Sequence, residues 1–225
     1  MTEEHVAPAE FSHADHPADR RRRARMVRDQ LGDCTDPRVV EALAAIPRHL
    51  FVPHELRAAA YDDTPLAIGA GQTISQPRVV AAMLARLRLA PGDRVLDVGA
   101  GSGYTAALMA HLCAPTGTIR AIERQGDLLV ETSRRLAQFA PNVELLHADG
   151  IAGSDLPPNK RFDVIHVGAA CASIPTQLIH LLAPHGRLIA PVGPHDGAQR
   201  LLLVDDGVTY WLDAVWFVPG LPGTA

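Results

Sequence analysis

The sequence predicts an α/β protein with a mostly parallel, twisted sheet, helices on both faces and a C-terminal antiparallel hairpin. From residue 77 onward, short apolar runs alternate with amphipathic segments of helical periodicity, which is the pattern of repeated strand–helix–strand units. Residues 201–204 and 209–218 then form two strand-like runs joined by Asp206-Gly207, a dipeptide typical of tight hairpin turns. With 225 residues, of which 47% are hydrophobic, the chain is long enough for one domain with a sizeable core.

The part of the chain before residue 77 lacks this alternation. Residues 1–18 are polar, acidic and without periodicity, so we expect a disordered tail. Residues 20–31 predict a helix, and a second helix is expected after Asp36-Pro37, where Asp36 caps and Pro37 takes the first helical position. Residues 50–76 are rich in turn formers, which predicts a long loop region, and loops of that length usually serve a function.

The elements of the core follow from apolar runs bounded by turn residues such as Pro91-Gly92-Asp93. We expect the core over residues 77–225 to form one compact unit with the helical segment over residues 19–76. The predicted order is helix 77–87, strand 94–98, helix 104–112, strand 118–122, helix 125–138, strand 143–147, strand 162–167, helix 176–182 and strand 187–191, followed by the hairpin.

Composition and charge exclude several classes of protein. A net charge of −4 offers no strongly basic face for duplex nucleic acid. Cys34, Cys113 and Cys171 form no C-x-x-C pair and fit neither a disulfide framework nor a zinc site, which is typical of a reducing compartment. No run approaches about 18 apolar residues and no signal segment is visible, so we expect a cytoplasmic protein that needs no metal, membrane or nucleic acid.

A glycine loop follows the first strand of the core, in the order Gly99-Ala100-Gly101-Ser102-Gly103. Such a loop lets a ligand approach the backbone closely at the N-terminus of the next helix. The dinucleotide fingerprint needs a third glycine at position 104, where Tyr104 stands, and a P-loop needs a lysine that is absent here. The loop therefore favours a ligand that carries an amino-acid carboxylate, as S-adenosylmethionine does.

Acidic residues end the next two strands. Glu123 lies 24 residues after Gly99 and can accept both hydroxyl protons of a ribose. Asp149 can accept from an adenine amino group, while Gly150 lets the ring approach. The sequence thus predicts an adenosyl site with the following cofactor contacts: Asp97, Gly99, Ala100, Gly101, Ser102, Gly103, Glu123, Arg124, Asp149 and Gly150.

Several segments resemble the protein-L-isoaspartate O-methyltransferase family, and together they cover about residues 24–219. The most specific is Gly71-Gln72-Thr73-Ile74-Ser75-Gln76-Pro77, and the others are residues 36–39, 46–53, 162–170 and 186–193 together with the glycine loop and Asp149-Gly150. The resemblance implies a Rossmann-like class I methyltransferase fold. It also implies methyl transfer from S-adenosylmethionine, leaving S-adenosylhomocysteine, to the carboxylate of L-isoaspartyl residues in damaged proteins and peptides. The ester then collapses to a succinimide, which begins repair.

Ser75 has two interpretations. From the residues alone it can cap the helix that starts at Pro77. The resemblance instead implies that Ser75 is the catalytic hydroxyl that holds the substrate carboxylate, with Thr73 and Ile74 completing the substrate site. A carboxylate with a pKa of about 4 is already ionised at neutral pH, so we expect no general base. His166, on a predicted strand, is interpreted as a core histidine.

Some features depart from the family or stay open. Arg78 stands where relatives often carry His or Tyr, and Val218-Pro219-Gly220-Leu221 replaces the more usual Val-Pro-Leu ending. The arginine cluster over residues 20–25 is interpreted as a solvated helix face or a disordered lead-in. Alternative functions are carboxyl methylation of a biosynthetic peptide or small molecule, a non-catalytic adenosyl-binding module, or an NAD-dependent oxidoreductase. We expect a monomer.

Overall fold

The computed structural model describes residues 15–152, 156 and 160–225. The prediction of a disordered tail over residues 1–18 therefore falls almost entirely outside the described residues. The first helix, α1 (Pro17–Gln30), begins three residues before the predicted start because His16 accepts the Ala18 N–H through Nδ1 at 3.3 Å. Proline at the first helical position supports the same start.

The remaining elements follow the predicted order closely. They are α2 (Pro37–Ala45), 3₁₀ turns at Arg48–Phe51 and His54–Ala59, β1 (Leu66–Gly69), β2 (Gln72–Ile74), α3 (Pro77–Leu87), β3 (Arg94–Val98), α4 (Tyr104–Leu112), β4 (Thr118–Glu123), α5 (Gly126–Phe139), β5 (Val143–His147), β6 (Phe162–Val167), α6 (Thr176–Ile179), β7 (Leu182–Val192), β8 (Gln199–Asp205) and β9 (Val208–Val215).

The main sheet has seven strands in the order β5-β4-β3-β6-β7-β8-β9. Strands β5, β4, β3, β6 and β7 pair in parallel, and β8 and β9 add an antiparallel hairpin. The chain leaves β3 for β4 and β5 and returns to β6 on the other side of β3. This reversal makes a switch point at the carboxyl ends of β3 and β6, where open sheets of this type bind ligands.

Helices cover both faces of the sheet. Alternate residues of β3 enter different hydrophobic clusters, since Val95 belongs to one and Leu96 and Val98 to the other. Four of the five β3 residues are buried, as expected for a central parallel strand. The predicted fold class is therefore confirmed.

The prediction of a long loop over residues 50–76 is wrong in part, because β1 and β2 form an antiparallel hairpin there. Leu66, Ile68 and Ile74 point inward and are buried, so the apolar residues anchor the pair. The turn has positive φ at Gly69, Ala70 and Gly71; glycine adopts this conformation without strain at two of the three positions. The hairpin places the segment that follows it, including Ser75, at a fixed position.

The strand pair at the end of the sheet is confirmed. Asp206 and Gly207 have φ values of 50° and 77°, the left-handed geometry of a type I′ turn. Strand β7 is longer than predicted and α6 shorter, because Leu182 already pairs with Phe162 before an irregularity in the register. Within the described residues, no helix combines the length and the apolar character that crossing a bilayer requires.

Candidate active site

The glycine loop between β3 and α4 is a tight turn. Gly99, Gly101 and Gly103 have φ values of 82°, 54° and 85°. The N–H groups of Gly99 and Ala100 both donate to the Ile122 carbonyl at 2.9 Å, which ties the loop to β4. A Cβ at Gly103 would lie 3.1 Å from Leu136 and 3.2 Å from Thr132 of α5, so the loop fits only without side chains there.

A cavity of about 520 Å³ opens at the carboxyl edge of the sheet; we call it the adenosyl cavity. It brings together six of the predicted cofactor contacts, while Ala100 and Ser102 line a neighbouring cavity and Asp97 and Gly103 line neither. The adenosyl cavity is lined by Gln72, Thr73, Val98, Gly99, Gly101, Ile122, Glu123, Arg124, Ala148, Asp149, Gly150, Ile151, Gly168, Ala169 and residues 218–221.

Glu123 ends β4 and is held in one orientation. Its Oε2 accepts the Gly101 N–H and its Oε1 accepts the Gln125 N–H, both at 2.8 Å. The side chain is buried at the base of the cavity, with 4% exposed. Each oxygen has further acceptor capacity, so the carboxylate can also receive two hydroxyl donors.

Asp149 lies one strand further along the same edge. Its Oδ1 accepts the N–H groups of Ile151 and Ala152 at 3.0 and 2.9 Å. Next to it, Gly150 packs so closely on the sheet that a Cβ would lie 2.7 Å from Val98 Cγ1. The pair therefore places a carboxylate beside a stretch of backbone without a side chain.

The end of the chain folds over the same edge, and we call residues 218–225 the tail segment. The Gly223 N–H donates to Asp149 Oδ2 at 2.5 Å. The Arg124 guanidinium donates to the carbonyls of Gly223 and Pro222 at 2.7 and 3.4 Å. Arg124, predicted as a cofactor contact, thus lines the cavity and also holds the tail segment. Sequence reasoning missed these bonds. Gly223 and Asp149 lie 74 residues apart, and no local pattern around either residue indicates that they meet.

A smaller cavity of about 400 Å³ adjoins the first; we call it the transfer cavity. Thr73, Gly99, Gly101 and Gly168 line both cavities, so the glycine loop forms the boundary between them. The remaining walls of the transfer cavity are Ile74, Ser75, Val80, Met83, Ala100, Ser102, Tyr104, Thr105 and His166. Thr73, Ile74 and Ser75, predicted as substrate contacts, therefore lie together beside the glycine loop.

Ser75 does not cap α3. The N-cap residue is Gln76, and no side chain of the cap bonds to the helix. The Arg78 N–H instead donates to Asp63 Oδ1 at 3.1 Å, so Asp63 stabilises the helix start from outside. Ser75 makes no hydrogen bond within the described residues, and the half-buried residue lines the transfer cavity. The Arg78 guanidinium pairs with Asp33 at 3.1 Å, away from the cavities.

Asp97 and His166 form a buried pair below the glycine loop. The two residues are register partners on β3 and β6, and His166 Nδ1 lies 2.7 Å from Asp97 Oδ1. Asp97 is fully buried, and its Oδ2 has no hydrogen-bond partner in the described part of the chain. His166 is a core histidine, as expected, but it also lines the transfer cavity, which sequence reasoning missed.

A buried cation lies behind the transfer cavity. The Arg48 guanidinium is fully buried and sits 5.3 Å from the centroid of the Tyr104 ring. Burial lowers the pKa of Arg48 to about 10, so the group stays charged at neutral pH. Burial has the opposite effect on Tyr104: it raises the pKa of the hydroxyl, which therefore stays neutral. The Tyr104 ring thus lies between the transfer cavity and a buried positive charge.

The sheet order, the glycine loop and the two adjoining cavities define a Rossmann-like methyltransferase of class I. The model of the protein-L-isoaspartate(D-aspartate) O-methyltransferase family matches residues 23–219. The chain is 46% identical over 191 residues to a protein-L-isoaspartate O-methyltransferase of Aeropyrum pernix, covering 83% of this chain and 72% of the relative. A relative with the same name from Methanoculleus marisnigri is 44% identical, with 89% and 91% covered. The chain therefore belongs to the protein-L-isoaspartate O-methyltransferase family.

A solved structure agrees with this assignment. A Plasmodium falciparum protein, named as a candidate protein-L-isoaspartate O-methyltransferase and crystallised with S-adenosyl-L-homocysteine, superposes with a TM-score of 0.79 at 28% identity. The match covers 88% of this chain and 98% of that one. The two proteins therefore share the fold over most of this chain.

Proposed function

We propose that the protein transfers a methyl group from S-adenosylmethionine to the free carboxylate of L-isoaspartyl residues in damaged proteins and peptides. The resulting ester collapses to a succinimide, which initiates repair. Beyond membership of the family, one observation carries the proposal. A cavity with the acceptors for an adenosyl group adjoins, at the glycine loop, a second cavity walled by Thr73, Ile74 and Ser75.

The residues of the adenosyl cavity fit this cofactor. Glu123 and Asp149 supply acceptors for ribose hydroxyls and for an adenine amino group. Gly150 lines the cavity without a side chain, and its backbone lies so close to the sheet that a Cβ would meet Val98 Cγ1 at 2.7 Å. Asp97, whose Oδ2 has no hydrogen-bond partner within the described residues, lies buried below the glycine loop and does not line the cavity. Within the described residues no set of His, Cys, Asp or Glu side chains is arranged to hold a metal ion.

The reaction needs little from the protein beyond position. S-adenosylmethionine supplies an electrophilic methyl group on a sulfonium, so that the bond from oxygen to carbon forms as the bond from sulfur to carbon breaks. The Ser75 hydroxyl can donate one hydrogen bond to the substrate carboxylate and aim its free oxygen along that line. Thr73 and Ile74 then wall the site from water. Orientation of this kind can lower a barrier by about 7 to 11 kcal/mol in favourable cases.

The transfer cavity suits a reaction in which opposite charges neutralise each other. Val80 and Met83 supply apolar walls, which exclude water around the reacting groups. Arg48, behind Tyr104, favours entry of an anionic carboxylate. His166 fixes the orientation of Asp97 through the 2.7 Å contact. These residues bind and orient the reactants, and none is required to move a proton.

We further infer that the protein acts as a cytoplasmic monomer on polypeptides and does not require nucleic acid. All three cysteines are free, and Cys113 and Cys171 are buried, which supports a reducing compartment. The sequence carries a net charge of −4, which supports a protein without a nucleic-acid partner.

The test uses two peptides of identical sequence, one with L-isoaspartate and one with L-aspartate, and S-adenosylmethionine with a labelled methyl group. We expect base-labile label only in the isoaspartyl peptide. Ser75→Ala should lower the rate by about tenfold or more, since a hydrogen bond to a charged group is lost. Ser133→Ala, on the exposed face of α5, is the matched control and should leave the rate unchanged.

Other outcomes separate the alternative functions. Binding of S-adenosylhomocysteine without labelling of either peptide would contradict isoaspartyl repair. It would leave a methyltransferase for a biosynthetic peptide or small molecule, or a binding module without turnover. Preferential binding of NAD would contradict the methyltransferase assignment itself.

A further inference from the structure

A third cavity lies apart from the two cavities of the methyltransferase site and shares no lining residue with them. It lies between the 3₁₀ turn His54–Ala59 and the second half of α5. We call it the basic cavity, because four of its charged or titratable side chains are basic and one is acidic. Its lining is His54, Arg57, Glu131, Arg134 and Arg135, with Leu50, Val52, Pro53, Gln138 and Phe139.

Two neighbouring arginines of α5 have different surroundings. Arg134 is exposed and donates to Glu131 Oε1 at 2.7 Å, so its charge is already balanced. Arg135 is half-buried and makes no hydrogen bond or salt bridge within the described residues. The single acid of the cavity is thus engaged by Arg134, and Arg135 faces the cavity without an acceptor.

Burial and two neighbouring charges act on the Arg135 guanidinium. Burial lowers the pKa of Arg135, and the nearby charge of Arg57 lowers it further, although Glu131 partly offsets both effects. A partly desolvated cation beside a like charge is costly unless an anion accompanies it. An anion in the cavity would supply Arg135 with an acceptor and offset the cost of its partial burial.

We propose that the basic cavity binds an oxyanion of the phosphate class, held by Arg57 and Arg135, with an organic group of the ligand packed on Phe139. Guanidinium forks match the geometry of phosphate oxygens and bind them in a bidentate manner. Leu50, Val52 and Pro53 add an apolar wall next to the arginines, which favours a phosphate ester over free phosphate. An extended acidic polypeptide fits less well, because its charges would spread beyond the two guanidiniums.

The experiment is a calorimetric titration of the full chain with inorganic phosphate and with phenyl phosphate at constant ionic strength. Excess S-adenosylhomocysteine is present so that the glycine loop offers no competing anion site. We expect saturable binding of one equivalent, tighter for phenyl phosphate than for phosphate. Arg135→Gln should weaken it about tenfold or more. Arg25→Gln, at an exposed position of α1 outside the cavity, is the control and should change it by less than about twofold.

Circular dichroism checks that each variant is folded, and glutamine keeps a good helix former at position 135. If Arg135→Gln does not fold, Arg57→Gln is titrated instead, and we expect it to weaken phosphate binding by the same factor. Absence of saturable binding by either phosphate would overturn the proposal. So would equal affinity in the wild type and Arg135→Gln, or binding of a polyglutamate peptide without binding of the phosphates.

Discussion

Glu123 is the residue on which cofactor affinity should depend most directly. Both carboxylate oxygens are fixed by backbone N–H groups, so the acceptors are oriented before a ligand arrives. Glu123→Gln places an NH₂ group opposite one of these donors. We expect a loss of about 1.5 to 3 kcal/mol in binding of S-adenosylhomocysteine, measured by calorimetry. Glu144→Gln, on the neighbouring strand and paired with Arg120, should retain wild-type affinity; equal affinities in both variants would contradict this role.

His49 should make stability fall in mild acid. Burial lowers its pKa below 6.5; Asp19 and Asp15 oppose this shift, and the positive charges of Arg23 and Arg57 add to it. The unfolded chain therefore takes up the proton first as pH falls through about 6.5, and the folded state loses stability from there down to the folded pKa. In the neutral ring, Nδ1 can accept the Tyr61 hydroxyl at 2.7 Å.

Urea unfolding at about pH 7.5 and about pH 5.5 measures this effect. The loss of unfolding free energy between the two values should be smaller in His49→Gln than in the wild type. His180→Gln, at an exposed position, is the control and should behave as the wild type does. An unchanged loss in His49→Gln would show that other groups cause the acid sensitivity.

At the scale of elements, the glycine loop and α5 fit each other without spare room. Thr132 of α5 donates its hydroxyl to the Gly101 carbonyl at 2.7 Å, and Leu136 and Thr132 fill the space beside Gly103. Gly103→Ala places an alanine at a positive φ, with its Cβ 3.1 Å from Leu136 and 3.2 Å from Thr132. We expect a loss of about 1 to 3 kcal/mol in unfolding free energy, with weaker binding of S-adenosylhomocysteine.

The control for that variant is Gly32→Ala, where nothing lies within 4 Å of the added Cβ and φ is not positive. It should unfold at the wild-type urea concentration or slightly above it. Equal destabilisation by the two alanines would mean that the fit between the loop and α5 contributes little.

Elements with strong local patterns could be predicted from the sequence, and those fixed by distant contacts could not. Strands β3 and β6 were placed to the residue by their apolar runs, and the glycine loop by its spacing. The β1–β2 hairpin was missed because its alternation is short and its strands are held by burial against the core. Within the arginine cluster, Arg23 turns inward to Asp15 and Tyr61, a choice that only tertiary contacts determine.

For the whole molecule, the centre of the sheet should be the most stable region. Strand β3 has parallel partners on both sides and a hydrophobic cluster on each face. Amide hydrogen exchange should therefore be slowest at residues 95–98 and should approach the rate of global unfolding. Amides of the edge strand β9 are the comparison and should exchange faster. Comparable rates in β3 and β9 would contradict this distribution of stability.

The position of β3 at the switch point also has a consequence for synthesis of the chain. The ribosome makes β3 and β4 before β6, the strand that pairs with the other edge of β3 and begins only at Phe162. Until then Val95, Leu96 and Val98 belong to a strand with an open, apolar edge, which is the kind of surface that chaperones bind and that promotes aggregation. Nascent chains that stall before Phe162 should therefore depend on chaperones far more than the finished protein does.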